Sequence, residues 1–392
     1  MKHIIIVLIS IIAFSSNLFS QNNIERVLAE IEKNNTTLSA LRKSSDADKI
    51  GNKTGIFLQN PEVEFNYLWG SPSAIGNRTD VSISQTFDFP TAYKYKNQIS
   101  DSKNQQVELE YQKQQKGLLL QTRLICYDLV YTNALISELS KRLDHAQSIA
   151  NSYKSKFDVG ETNILEHNKA QLNLLNLRKE LESVEIERVA LLSGLARLNG
   201  GIPIDFTTSE FQPKVIPVDF ENWYVAAEQN NPLLNWLKQE IEITQNQEKL
   251  TRAMSLPKLQ TGYMSEKVVG EQFQGISIGL TIPMWEDKNR LKHAKAQSEA
   301  LQSIVSDNKL QFYNQLKSLH TKAVGLQKNA IGYRSNLQKF NSSDLLIKAL
   351  DKGEISLIDY ILELSIYYES VTKLLDIEKE LNKSLAELNQ YM

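Results

Sequence analysis

Two stretches without a single proline, Ala92 to Asp158 and Glu286 to Asp351, constrain this chain more than anything else in its sequence. Apolar residues recur along the helical segments at steps of three and four, as in Leu120, Leu124, Tyr127 and Tyr131, or Leu362, Ile366, Leu374, Ile377 and Leu381, the period of an amphipathic helix. At 1.5 Å per residue, each stretch of about 66 residues predicts a helix of ~100 Å. A helix that long cannot bury itself in one globular core. Only 16 Gly and 9 Pro occur among 392 residues, which argues against a loop-rich enzyme or an all-β sandwich. The formal net charge of −2 gives no electrostatic reason to expect nucleic acid.

The chain reads as a duplication at an offset near 195 residues. Asn34, Asn35 and Leu38 return as Asn230, Asn231 and Leu234. Pro61-Glu62-Val63 returns as Pro257-Lys258-Leu259, and Val81 to Phe87 returns as Ile276 to Ile282, with Ser82 on Ser277 and Thr86 on Thr281. Asp158-Val159-Gly160-Glu161 returns as Asp351-Lys352-Gly353-Glu354. Each half therefore predicts helix, strand, strand, very long helix, tight turn, helix. The first repeat is placed at 21–200, with strands about 61–68 and 79–89. The second is placed at 219–392, with strands about 257–267 and 274–284. Residues 201–218, which hold Pro203, Pro213 and Pro217, form the link, expected to lie at an equatorial level halfway along the long helices. The shorter helices are expected over roughly Asn23 to Phe57 and Thr162 to Asn199.

Met1 to Ser20 has a cationic start, an apolar run from Ile4 to Phe14 and a small, polar end, the pattern of a secretory signal peptide. Cleavage is expected near Ser20 and Gln21, and no cysteine is there to carry a lipid. No later segment approaches the roughly 20 apolar residues of a spanning helix. The strands offer another route into a membrane. Val63, Phe65 and Tyr67 alternate with Glu62, Glu64 and Asn66, and Ile276, Ile278, Leu280 and Ile282 alternate with Ser277, Gly279 and Thr281. Alternating strands flanked by the aromatics Trp69, Phe89, Tyr93, Phe273 and Trp285 fit an outer-membrane barrel, and fit equally a half-buried hairpin pair. Four strands cannot close a barrel, and lipid forbids open edges, so a barrel here requires several chains.

In its repeat order, paired hairpins and glycine turns, the whole mature chain resembles the TolC-like outer-membrane efflux proteins. The turn Gly353-Glu354-Ile355-Ser356-Leu357-Ile358-Asp359-Tyr360-Ile361-Leu362 is similar to the family's glycine, spacer, Leu-Asp-Val-Leu pattern, and Gly160 to Glu166 is its first copy. The resemblance implies a mainly α fold with membrane β-strands: a homotrimer with a shared 12-stranded β-barrel continued by a periplasmic α-helical barrel. It implies an outer-membrane location in contact with lipid, a periplasmic adaptor docking at the turns of Gly160 and Gly353, and an inner-membrane pump of the resistance-nodulation-division type. The chain's compact length resembles the heavy-metal branch and small unclassified relatives, so metal ions or small toxic compounds are the expected cargo.

The glycines read most simply as left-handed helix stops. Asp359 matches the family position whose carboxylate lines the closed tip, and fits equally a capping box with Ser356. The second aperture acid expected one turn on is replaced by Leu362, with Glu363 adjacent, and Glu166 is the equivalent acid of the first repeat. Trp69, Phe89, Phe273 and Trp285 are expected at the barrel rims. His145, His167, His293 and His320 show no metal-ligand spacing, and Cys126 is expected to pack between helices. No nucleophile motif or phosphate loop occurs, so neither catalysis nor a cofactor is expected. The alternative is an exported coiled-coil structural or adaptor protein without a barrel.

Overall fold

The computed structural model describes residues 23–282, 285 and 289–392. The signal segment and its cleavage site lie outside them, as do the end of the fourth expected strand and the start of the second long helix. The chain runs α1 (residues 23–34), α2 (Thr36–Gly51), β1 (Glu62–Leu68), β2 (Arg78–Phe87), α3 (Pro90–Asp158), α4 (Ile164–Leu198), α5 (Phe220–Asn230), α6 (Pro232–Met254), β3 (Lys258–Val268), β4 (Glu271–Thr281), α7 (Arg290–Lys339), α8 (Ser343–Asp351) and α9 (Leu357–Leu388). It is mainly helical, with one small antiparallel sheet. No described helix is long and apolar enough to cross a membrane.

α3 is one uninterrupted helix of 69 residues, ~104 Å at the standard rise. It opens on Pro90, whose missing N–H costs nothing in a first turn. The second long helix differs from expectation. It stops at Lys339 and restarts at Ser343, because Asn341 Oδ1 accepts from the Ser343 N–H at 3.2 Å and its Oγ at 2.9 Å. Short polar side chains that bond neighbouring backbone compete with the helical ladder, and the run Asn341-Ser342-Ser343 concentrates them. The first helix is likewise two. Asn35 interrupts it, and Asn35 Oδ1 accepts from the Leu38 N–H at 2.8 Å as the cap of α2, which ends at Gly51. Its repeat partner Asn231 caps α6, accepting from Leu233 N at 2.9 Å and Leu234 N at 3.4 Å ahead of Pro232. The repeated Asn-Asn pair is thus a helix break written twice.

Two compact units emerge, and neither is a repeat. The first comprises Met1–Ser39, Gln114–Ala227 and Phe312–Met392; the second comprises Ala40–Lys113 and Glu228–Gln311. Each draws on both halves of the sequence, and in the second the strands of one half pair with those of the other. In the first unit a core of Val27, Ile31, Cys126, Leu129, Val130, Leu195 and Leu198 is completed by Ile204 and Phe206 from the link. Asn133 Nδ2 donates to the Phe206 and Thr208 carbonyls at 3.3 and 2.9 Å, pinning the link against the middle of α3. Asn35 Nδ2 donates to the Leu198 carbonyl at 2.7 Å, satisfying the end of α4.

Candidate channel elements

The sheet has the order β1-β2-β3-β4, antiparallel throughout. Pairing sets which residues share a face: Val63 opposes Ile83, Ile83 opposes Tyr263, and Tyr263 opposes Ile276. With Phe65, Val81, Phe87, Leu259, Ile278 and Leu280 they form one apolar face across all four strands. The other face carries Glu62, Glu64, Asn66, Ser82, Ser84, Gly262, Gly275, Ser277 and Gly279. There Gln260 Nε2 donates to Ser84 Oγ at 3.2 Å, and Arg78 pairs with Asp80 and Glu266 at 2.8 and 3.2 Å. A Cβ on Gly262 would stand 2.6 Å from the Ile83 carbonyl and 2.7 Å from Ser277 Oγ, so glycine is required on that crowded side. Small residues on one face and bulky ones on the other suit a sheet curving around the small face.

The apolar face is bare: Ile276 is 82% exposed, Ile278 75% and Val63 70%. Among the described residues the outer edges of β1 and β4 have no partner strand. An uncovered apolar face bounded by two open edges is what a water-soluble sheet avoids. Trp69, Phe89 and Trp285 flank the strands and are exposed, Trp69 standing edge-on to Tyr67 at 5.6 Å. Phe273 departs from Ile276, Ile278 and Leu280 of its own strand. Its pairing with Glu266 puts it on the polar face, because β4 begins at Glu271 and Phe273 is out of phase with Ile276, Ile278 and Leu280.

The two glycine turns are the same structure. Gly160 and Gly353 have φ of 77° and 72°. Glu161 N–H donates to the Lys156 carbonyl at 2.7 Å and Gly160 N–H to Phe157 at 3.0 Å; Glu354 N–H donates to Ala349 at 2.9 Å and Gly353 N–H to Leu350 at 3.0 Å. Both are Schellman motifs, with the left-handed glycine directly after the C-cap residue, Val159 in one and Lys352 in the other. Three residues beyond each glycine stands the cap of the next helix, Asn163 for α4 and Ser356 for α9. A core of Ala146, Ala150, Ala170, Leu174 and Leu357, with Tyr153 and Leu350 against it, packs the ends of these helices together in the first unit.

Asp359 completes a capping box. Ser356 Oγ donates to Asp359 Oδ2 at 2.6 Å and accepts from the Asp359 N–H at 3.2 Å, while the Ser356 N–H reaches Asp359 Oδ2 at 3.4 Å. Glu363 lies one turn further along, and both acids are exposed on the same side of α9. Glu166, at the equivalent position of α4, is ion-paired with Lys169 at 2.7 Å instead. Cys126 is fully buried, and desolvation pushes its thiol up to about 12. Among the described residues no group of three or more His, Cys, Asp or Glu could hold a metal.

Sequence reasoning missed Arg142, which is buried and donates through Nη2 to the Tyr368 carbonyl at 3.1 Å and Thr372 Oγ1 at 3.3 Å. Its partners stand more than two hundred residues away along the chain, so no local spacing announces them. The Asn341-Ser342-Ser343 run, by contrast, carried a readable turn signal.

Neither a protein-family model nor a curated protein matches the sequence. The fold has clear relatives among solved structures. The CmeC outer membrane channel of Campylobacter jejuni superposes with a TM-score of 0.77 at 14% identity, over 94% of this chain and 85% of that one. CusC, described in terms of transmembrane channel formation, gives 0.75 at 11% identity over 94% and 91%. The outer membrane protein VceC of Vibrio cholerae gives 0.71 at 13% identity, over 94% of both chains. The chain therefore has the fold of the outer-membrane channel proteins, the fold that the TolC-like resemblance of its sequence implied.

Proposed function

We propose that this protein is one protomer of a homotrimeric outer-membrane exit duct, a passive component of a tripartite efflux system. The observation that carries this reading is the bare apolar face of the sheet between two open strand edges. In lipid every backbone polar group must be paired, so the β1 edge of one copy joins the β4 edge of the next. Three copies of four strands give a 12-stranded barrel, with the Ile276 face toward lipid and the Ser277 face toward a wet lumen. The helices continue this barrel into the periplasm as an α-helical barrel. The turns at Gly160 and Gly353 form its tip, where a periplasmic adaptor docks and links the duct to an inner-membrane pump of the resistance-nodulation-division type. The cargo is metal ions or small toxic compounds. Asp359 and Glu363, exposed at the start of α9, line the aperture while Asp359 also caps its helix.

The test is cell fractionation followed by electrophoresis. The duct is expected in outer membranes, extracted by detergent as a trimer that dissociates on heating. Recovery of the protein in the soluble periplasm would overturn the reading in favour of an exported coiled-coil adaptor.

A further inference from the structure

Every charged residue of the four strands but one stands on the polar face of the sheet, where Arg78 pairs with Asp80 and Glu266. The exception is Lys267. Pairing sets it between Thr79 and Gln272, in a row with Tyr67, on the same side as Val63, Ile83, Tyr263 and Ile276. It is exposed and forms no ion pair among the described residues.

The rows around Lys267 change character across the sheet. On β1 and β2 the apolar face continues toward the hairpin tip as Phe65, Val81 and Tyr67, with Trp69 exposed beyond them. On β3 and β4 the last two rows of the same face are polar. Gln272 Nε2 donates to Ser265 Oγ at 3.0 Å and the Tyr263 hydroxyl donates to Gln274 Oε1 at 2.8 Å, contacts that agree with the pairing in placing these side chains together. A polar strip holding a cation therefore lies beside an aromatic strip.

These rows lie at the end of the sheet away from the helices, because α6 enters and α3 leaves at the opposite end, near Lys258 and Phe87. A charge on the lipid face of a barrel is costly at mid-membrane and nearly free at the interface, so Lys267 fixes the depth of its row. From Gln272 to Ile282 the chain advances ~34 Å at the antiparallel rise. Tilted as barrel strands are, that is about 25 Å of height, the height of an apolar barrel band. Lys267 thus stands at the outer rim of that band.

We infer that, given the barrel reading proposed above, on which this inference rests, the strip of Ser265, Lys267, Gln272 and Gln274 binds the phosphorylated glycolipid headgroup of the outer leaflet. Lys267 meets a phosphate, and the two amides bond sugar hydroxyls as donors and acceptors. Tyr67 and Trp69 sit at headgroup level, where amphipathic rings collect. Charge selects this occupant: the apolar rows below take the acyl chains of any lipid, whereas a cation without a counter-charge on a lipid-facing surface favours an anionic headgroup.

The probe is lipid A carrying two phosphates, titrated into delipidated, detergent-solubilised full-length protein and counted by native mass spectrometry. The same lipid without its phosphates and phosphatidylglycerol are titrated in parallel. The phosphorylated form is expected to bind about fivefold more tightly than the dephosphorylated one, the attraction of one lysine for an anionic lipid surface. It should also bind more tightly than phosphatidylglycerol. Lys267→Gln should erase the fivefold difference and Lys267→Arg should keep it. Lys258→Gln, at the other end of the same strand and on the polar face, should leave it unchanged. Equal binding of the two forms of lipid A overturns the inference, as does a difference that survives Lys267→Gln. Phosphatidylglycerol binding as tightly as lipid A, or displacement of the lipid by equimolar inorganic phosphate, would overturn it as well. A trimer from outer membranes that shows no preference refutes the headgroup site alone, whereas a protein recovered in the soluble periplasm refutes the barrel beneath it.

Discussion

Single residues in this chain act through what they hold in place. Glu108 on α3 accepts from Arg42 through both oxygens, at 2.8 and 3.2 Å, and from Lys49 at 2.7 Å. These hydrogen bonds, that of Arg42 foremost, hold its carboxyl down at about 2. A carboxylate depressed by folding stabilises the fold fully above its ordinary pKa of 4.5, and that contribution is lost as pH falls toward about 2. The cluster is about one-third exposed, so solvent screening limits its worth to about 1 kcal/mol or less. Glu108→Gln should therefore lower the thermal midpoint by a constant amount from pH 7 to pH 5, in the unscreened direction of low salt. The gap should close between pH 4.5 and pH 2; a gap independent of pH would show that charge plays no part. Neither Arg42 nor Lys49 marks itself in the sequence as a partner of Glu108, because helix charges this frequent pair only once the fold sets their neighbours.

At the level of elements, what repeats in the sequence is the set of positions where helices must stop. Asn35 and Asn231 cap helices after a break, Gly160 and Gly353 close Schellman motifs, and the caps Asn163 and Ser356 follow three residues later. The glycine stops and the Ser356 cap were legible because left-handed backbone and capping favour few residue types, whereas Asn35 and Asn231 showed only as a repeat and the first helix was expected to run through Asn35. The break at 340–342 went unread although its Asn-Ser-Ser run carries a turn signal, since the equivalent place in α3 is continuous and the repeat offered no second copy to compare. The side-chain network around Arg142 was illegible for a different reason: it joins α3 to α9, and one sequence records no such pairing. The glycine argument can be tested by sign. A Cβ at Gly160 or Gly353 meets nothing within 4 Å, so alanine there costs only the left-handed backbone, about 1–2 kcal/mol. Gly117 lies within α3, also in open space, without a positive φ. Gly117→Ala should raise thermal stability by about 0.5–1 kcal/mol, while Gly160→Ala and Gly353→Ala should lower it by similar amounts to one another. Equal effects at all three positions would refute the shared turn geometry as the cause.

For the whole molecule the question is what completes the sheet. Alternation told which side of each strand is apolar, but the pairing of β2 with β3 across the two repeats, and the polar placement of Phe273, required the fold. The described residues of one chain leave β1 and β4 each with an open edge. A head-to-tail contact between unlike edges makes a closed ring when rotation returns to its start, and an endless filament otherwise. Cysteine cross-linking distinguishes these outcomes. β1 and β4 of one chain are three strand spacings apart, ~14 Å, beyond the ~7 Å between Cα atoms that a disulfide tolerates. A chain carrying Glu64→Cys and Ser277→Cys thus cannot bridge itself, and any disulfide between them joins two copies. The native Cys126 does not interfere, being fully buried with its thiol pushed up to about 12. Oxidation in native membranes should give dimers and then a covalent trimer that goes no further, with Glu62→Cys or Asn66→Cys replacing Glu64→Cys where the register between copies demands it. Monomers at all three positions would show the edges to be covered by something other than this chain, and ladders past the trimer would show an array that does not close.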